Sequence, residues 1–334
     1  MNRAPAVLLA SLLLSCAATR PSATPEVPRP RLPCVAPQAP VEEARLHTDA
    51  PIERMVATDL GVFLLTARGL YLLPRGAHQA RRWAAEHPIA MVSAGGDTFW
   101  LDGERLHSIQ QGIDRVVPAR CPDGLLEALG NPETAPTCFG ASMQLEGDSV
   151  YFKNPIGQIF SLPKAGGTAR PIELRRFDCL IERNEVGVVS FVSRGRSILE
   201  SAATWGCAGD ASWIDLDGDR LLMLTAQRMD GDHLVSRPID HVTPPAVELV
   251  HAPGFILPIA VVDHRVLFAH HLGERDRFSL FAVSTGGGPL TPIACDVEAN
   301  EQFAAESGRV YWLEWTGQGG LDVRLMSAAV PARL

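Results

Sequence analysis

Three aspartates in alternation, Asp215, Asp217 and Asp219, form the best candidate metal-binding pattern in the chain. Alternating carboxylates can ligate calcium, as they do in the EF-hand loop. That loop also needs a glycine directly after the third acidic position and a glutamate seven positions further on. Neither is present here. Because Asp-Gly is favoured in tight turns, Asp217-Gly218 predicts a turn between two strands rather than a metal site.

The histidine pair His270-His271 is the next candidate. Adjacent residues of a strand point to opposite faces, so the two imidazoles are badly placed to bind one ion. We therefore expect a surface pair.

The Gly-x-Ser-x-Gly motif of α/β-hydrolases is absent, and Gly286-Gly287-Gly288 lacks the Lys-Ser/Thr of a phosphate-binding loop. The sequence thus predicts no catalytic residue, no metal ligand and no cofactor.

The cysteines favour disulfides. Of the seven, Cys16 ends the N-terminal apolar run, and six remain: Cys34, Cys121, Cys138, Cys179, Cys207 and Cys295. An even number in an exported protein predicts three disulfides, and the paired spacing of a zinc site is missing. Six cysteines allow 15 pairings. Cys121–Cys138 is favoured because they are 17 positions apart in one loop. Cys179–Cys207 would join neighbouring links between repeats, which leaves Cys34–Cys295 by elimination.

The N-terminus has the features of a secretion signal. Arg3 precedes an apolar run, Ala4 to Leu14, of 11 residues, which is too short to span a bilayer as a helix. The end of this run, Leu13-Leu14-Ser15-Cys16, resembles the lipobox of bacterial lipoproteins. The resemblance implies cleavage before Cys16 and acylation of that residue, so residues 1–15 are the expected signal peptide. Ala17, rather than Asp, after the cysteine implies the outer membrane of a Gram-negative bacterium.

The charge and hydropathy of the rest of the chain exclude two classes of partner. The formal net charge is −8, or −9 after loss of Arg3, and no basic patch is present to contact phosphates. Nucleic acid is therefore not an expected partner. No apolar run of about 18 residues follows the signal, so we expect attachment to the membrane through acyl chains alone.

A proline-rich tether follows the expected lipidation site. Seven prolines lie among the 25 residues from Ala17 to Val41. Such a segment favours extended polyproline II and could reach roughly 80 Å. We therefore expect a linker over residues 16–41 and a folded domain over residues 42–334.

The remaining chain is a repeat of β-rich runs separated by Gly and Asp turns. Seven units start near Met55, Ala90, Met143, Cys179, Trp213, Ile259 and Phe303, about 41 residues apart. Three or four short strands per unit at this period are typical of a β-propeller blade. The sequence therefore predicts an all-β fold, a seven-bladed β-propeller. Six blades remain the alternative, because the unit at Cys179 is short and could be an insertion.

The segment around Ala44 to His47 is expected to complete the last blade. The last unit has room for only three strands, and Ala44-Arg45-Leu46-His47 echoes Ala80-Arg81-Arg82-Trp83, which precedes the second unit. An N-terminal strand that supplies the missing fourth strand would remove an exposed sheet edge.

Two units carry a family resemblance. Val150-Tyr151-Phe152-Lys153-Asn154 with Gly157-Gln158-Ile159, and Val310-Tyr311-Trp312-Leu313-Glu314, resemble the blades of YWTD, NHL and TolB-like propellers over about 290 residues. The complete YWTD tetrad is absent, which leaves the subfamily open. The resemblance implies mostly binding roles, with some enzymes.

Two functions remain open from the sequence. The first is a membrane-tethered, non-enzymatic scaffold that binds an envelope protein or glycan. Its recognition site is expected on the face that carries the links between blades, including the long loop Pro118 to Ala141. Five cysteines are expected in these links: Cys121, Cys138, Cys179, Cys207 and Cys295. The alternative is an exported hydrolase or lactonase with a divalent metal in the central channel. Its expected ligands are Asp59, Glu146, Glu182, Asp215, Asp263 and Glu306.

Overall fold

The computed structural model describes residues 32–122, 139, 142–172, 211–271, 273 and 276–332. Within those ranges it leaves out 87, 95, 103–104, 154–158, 219, 228–230, 239–245, 307 and 317–320. The described residues form 26 β-strands in six four-stranded sheets and one two-stranded pair. None of these residues belongs to a helix long and apolar enough to cross a membrane.

The sheets are named A to F in chain order. Strand β1 (Val41–His47) precedes sheet A, which contains β2 (Ile52–Thr58), β3 (Gly61–Thr66), β4 (Gly69–Pro74) and β5 (Arg81–Ala84). Sheet B contains β6 (Ala90–Ala94), β7 (Asp97–Leu101), β8 (Leu106–Gln110) and β9 (Ile113–Val117). Strand β10 (Ala119–Arg120) follows. Sheet C contains β11 (Ser142–Glu146), β12 (Ser149–Lys153), β13 (Ile159–Pro163) and β15 (Arg170–Ile172). Between the last two, β14 (Gly167–Thr168) pairs in parallel with β10.

The second half has the same pattern. Sheet D contains β16 (Ala211–Asp217), β17 (Arg220–Gln227), β18 (Gly231–Pro238) and β19 (Val247–Ala252). Sheet E contains β20 (Phe255–Val262), β21 (Arg265–His271), β22 (Arg277–Ser284) and β23 (Thr291–Glu298). Sheet F contains β24 (Phe303–Glu306), β25 (Arg309–Trp315), β26 (Asp322–Ala329) and β1.

Each sheet is an antiparallel meander, and its first strand lies beside the first strand of the next. The first strands β24, β2, β6 and β11 are neighbours in that order, as are β16, β20 and β24. This is the arrangement of blades in a β-propeller. All six predicted unit starts that the structure describes fall in or at the start of a first strand. The unit expected at Cys179 lies outside the described residues, so the choice between six and seven blades stays a prediction.

The hydrophobic core lies between the sheets. Phe63, Leu65 and Leu70 of sheet A, for example, pack with Met91 and Trp100 of sheet B. A middle strand has a neighbouring sheet on both faces, so all six residues of β3 are buried. This double burial explains why the middle strands read as continuous apolar runs rather than as an alternating pattern.

Sheet F is completed by the N-terminal strand, as the sequence predicted. Strand β1 pairs antiparallel with β26, with Ala44 opposite Leu325 and Leu46 opposite Val323. The side chains of Ala44 and Leu46 are buried in the core between sheets F and A. A strand from the start of the chain thus covers the edge that β26 would otherwise expose.

The segment before β1 is held against the domain. Cys34 and Cys295 form the disulfide that elimination predicted, with their Cα atoms 5.8 Å apart. Leu32 and Cys34 also pack on the core between sheets D and E. One expectation about Cys295 is wrong: it lies within β23 rather than in a link, because the outer strand of sheet E extends to Glu298.

Candidate functional site

The two ends of the sheets carry different connections. At one end, here called the link face, the outer strand of a sheet connects to the inner strand of the next, and the second strand turns into the third. At the opposite end, the turn face, lie the first-to-second and third-to-fourth turns. Most of the expected recognition loop, Pro118 to Ala141, lies outside the described residues.

Two large aromatic side chains are exposed on the link face. Phe255 is the first residue of β20 and is 49% exposed, and Trp315 is the last residue of β25 and is 44% exposed. Phe255 lies opposite His271 across β20 and β21. The His271 ring is 5.1 Å from the ring of the fully buried Phe278. Backbone pairing with His271, whose ring packs on the core, therefore positions Phe255 at the link-face end of sheet E. The sequence analysis did not predict the exposure of Phe255 and Trp315, because their exposure depends on where β20 begins and β25 ends.

The expectation of a surface pair at His270-His271 is wrong for His270. Its side chain is buried, and its Nε2 atom lies 3.2 Å from the carbonyl oxygen of Pro253. Burial lowers the pKa of His270, which favours the neutral imidazole. Nearby, Asp232 accepts a hydrogen bond from the Ile256 backbone N–H at 2.7 Å, and burial raises its pKa. The error arose because β21 is a middle strand, with a neighbouring sheet on both faces.

A second histidine, His107, lies between two aspartates. Its Nε2 atom is 3.2 Å from Asp102 Oδ2 and its Nδ1 atom is 3.3 Å from Asp114 Oδ2. The imidazole stacks on Trp100 with ring centroids 3.9 Å apart, and Trp100 Nε1 donates a hydrogen bond to Asp114. Burial disfavours the charged imidazole, but the hydrogen bonds to Asp114 and Asp102 outweigh it, so the pKa of His107 is raised. The sequence analysis missed this cluster, because its members lie on different strands.

Asp217-Gly218 is a turn after the first strand of sheet D, as expected. Strand β16 ends at Asp217 and Gly218 has a φ of 60°. Asp217 lies on the turn face, where its carboxylate is 2.8 Å from His264 Nδ1 and accepts a hydrogen bond from Thr285 Oγ1 at 2.5 Å. Both partners belong to sheet E, so Asp217 joins two sheets.

In the described part of the chain, no three of the acidic side chains expected at a central metal site come within reach of one ion. Glu306 pairs with Arg75 of sheet A. Asp59 and Asp263 are exposed in turns. Glu182 and the side chain of Glu146 lie outside the described part. Among the described residues, one group has three potential ligand atoms within reach of one ion, and it was not foreseen: His233, Glu248 and His251.

The remaining cysteines are only partly described. Cys121 is disulfide-bonded, and its partner lies outside the described residues. Cys16, Cys138, Cys179 and Cys207 also lie outside them. The pairings Cys121–Cys138 and Cys179–Cys207 therefore stay predictions, as does acylation of Cys16.

Comparisons with known proteins identify the fold. No protein-family model matches the sequence, and no curated protein matches it. Among solved structures, YCF48 bound to a D1 peptide is similar with a TM-score of 0.50 and 10% identity, over 90% of this chain and 98% of that one. A putative TolB from Agrobacterium tumefaciens has a TM-score of 0.38 and 14% identity, over 74% and 79%. BamB from Moraxella catarrhalis has a TM-score of 0.36 and 11% identity, over 86% and 99%. At this level of identity the similarity concerns architecture alone: the chain has a β-propeller fold.

Proposed function

We propose that this protein is an exported lipoprotein whose β-propeller binds a protein partner through its link face, without catalysing a reaction. The observation that carries the proposal is the exposure of Phe255 and Trp315 at that face. Exposed aromatic side chains are costly to leave in water, and Trp and Phe are enriched in protein interfaces.

The surroundings of the two aromatics support a binding role. Both are terminal residues of strands whose neighbouring residues are buried, so their backbone positions are held before a partner arrives. A pre-organised anchor loses little conformational entropy on binding. The alternative, a hydrolase with a metal in the central channel, has less support, because Glu306 already pairs with Arg75.

The proposed location depends on the N-terminus. Cleavage before Cys16 and acylation of this residue would attach the domain to the outer membrane through lipid alone. Labelling with a radioactive or clickable fatty acid tests this, and Cys16→Ser should abolish both labelling and signal cleavage. Unchanged labelling of the variant would refute the assignment.

The binding proposal is tested by capture of the partner in the native envelope. The full-length protein is cross-linked in cells, purified, and its cross-linked proteins are identified. We expect one predominant protein that the double variant Phe255→Ser/Trp315→Ser no longer captures.

A matched control uses exposed apolar residues elsewhere. Ile113 and Val116 are each 53% exposed on β9, the outer strand of sheet B. The variant Ile113→Ser/Val116→Ser should capture the same protein as the wild type. Equal capture by the aromatic double variant, or capture of a glycan and no protein, would overturn the proposal.

A further inference from the structure

Two histidines and a glutamate lie together on the outer strands of sheet D. His233 belongs to β18, and Glu248 and His251 belong to β19. Each residue offers one ligand atom, and the three atoms lie within 4.8 Å of one another. We call this group the sheet D cluster.

The pairing of the two strands brings the imidazoles together. His233 and His251 are direct partners in the antiparallel register of β18 and β19, so their side chains share one face of the sheet. Their rings stack with centroids 4.2 Å apart and an angle of 13° between the planes. The lone pair of each ring nitrogen lies in the plane of its ring, so the exposed His251 ring must turn out of this stack before both histidines can face one ion.

A β-bulge adds the carboxylate. Glu248 is three positions from His251, and in a regular strand the two side chains would point to opposite faces. Here Leu234 pairs with Val250 and Val235 pairs with Glu248, which leaves Leu249 as an extra residue. The bulge therefore turns Glu248 to the histidine face. There, its Oε2 atom lies 2.8 Å from His233 Nδ1.

Packing on the other face holds this backbone in place. Leu234, Leu249 and Val250 are buried in the core between sheets D and E. The side chain of His233 is only 15% exposed, whereas that of Glu248 is 54% exposed. His233 is thus held in place by its surroundings, whereas Glu248 and His251 are exposed and a dissolved ion can reach them.

We propose that the sheet D cluster binds a divalent transition-metal ion of the zinc type, with His233, Glu248 and His251 as ligands. Two imidazoles and one carboxylate are a donor set that zinc uses when the protein supplies three ligands and leaves a fourth position open. Magnesium and calcium prefer oxygen ligands alone, so this set discriminates against them.

The test is a metal titration of the full-length protein, made without a histidine tag, kept oxidised and freed of metal with a chelator. We expect one equivalent of zinc to bind in calorimetry, and cobalt to give visible absorption bands of a low-symmetry site. Magnesium and calcium should give no heat.

Variants assign the site. Glu248→Gln and His251→Gln are exposed changes that should leave the metal-free melting temperature unchanged. Each should weaken zinc binding at least about tenfold. Removing even a residue that only orients a metal ligand typically costs 10- to 100-fold in affinity, so loss of a ligand should cost no less. His47→Gln is the control, because His47 lies 2.7 Å from Asp322 and forms a similar exposed His–carboxylate pair. Absence of zinc binding, or affinity that survives both cluster variants, would overturn the proposal.

Discussion

Lys164 Nζ lies 2.5 Å from Asp97 Oδ2 and joins sheet C to sheet B on the turn face. Asp97 flanks the first-to-second turn of its sheet, and Lys164 directly follows the third strand of the next sheet. Two other pairs join the same two turns of adjacent sheets: Thr285 with Asp217, and Arg75 with Glu306. Asp217 and Glu306 are the last residues of their first strands, whereas Asp97 is the first residue of its second strand. The backbone N–H groups of Lys164, Thr285 and Arg75 also donate equivalent hydrogen bonds to the first-to-second turns of their own sheets. The repeat thus conserves a position for a contact between sheets while the residue types change.

The contact of Thr285 is expected to matter most for stability, because Thr285 is almost completely buried. Thr285→Val removes the hydroxyl that donates to Asp217, and should lower the free energy of unfolding by about 1–2 kcal/mol. Thr285→Ser keeps the hydroxyl and serves as the control. Urea unfolding measures both variants. A loss as large in the serine variant would show that the methyl group, and not the hydrogen bond, is responsible.

The pair of Lys164 and Asp97 is partly exposed, so its coupling should be smaller. A double-mutant cycle with Lys164→Met and Asp97→Asn should give an interaction energy of at most about 1 kcal/mol. It should shrink further in high salt. A larger, salt-independent coupling energy would contradict this expectation.

His107 predicts a pH dependence of stability. Its pKa is raised in the folded protein by the hydrogen bonds to Asp114 and Asp102, which outweigh burial. The stabilisation is therefore complete below the unfolded pKa of about 6.5 and is lost as the pH rises through the folded pKa. The free energy of unfolding of the wild type, minus that of His107→Gln, should be larger at about pH 5.5 than at about pH 8.5. A constant difference would argue against charged His107 as the cause.

The disulfide between Cys34 and Cys295 should stabilise the domain. The double variant Cys34→Ser/Cys295→Ser removes a cross-link that encloses most of the chain, and should cost about 2–4 kcal/mol. Thermal unfolding without reductant measures this loss. Adding reductant should destabilise the wild type more than the variant, and the opposite order would contradict the prediction.

Strand β1 should be essential to cooperative folding. Deletion through Asp49 removes Ala44 and Leu46 from the core and exposes the edge of β26. Deletion through Pro40 removes Cys34 but keeps β1, so it is the matched comparison. We expect cooperative melting of the shorter deletion, and aggregation or loss of cooperativity in the longer one. Equal melting curves would disprove the role of β1.

The sequence predicted the β-propeller fold and the starts of the six described sheets, because both are encoded in local patterns. Apolar runs between Gly and Asp turns located the inner strands, and the similarity of Ala44–His47 to Ala80–Trp83 located β1. The candidate sites depend on the register between strands. A single extra residue, Leu249, decides which face Glu248 occupies. The burial of His270 depends on which sheets flank β21. The repeat pattern indicates neither the bulge at Leu249 nor the burial of His270.

The disulfide also decides how the domain responds to mechanical force. A pull on the chain from its N-terminal side reaches Cys34 before it reaches β1, and the covalent bond passes it to Cys295 in β23. The load therefore enters sheet E, whose outer strand pairs with β22 on both sides of Cys295. Strand β1, which is held to β26 by non-covalent contacts alone, is shielded from being pulled off the sheet. The pairing of β1 with β26 therefore does not carry the applied force.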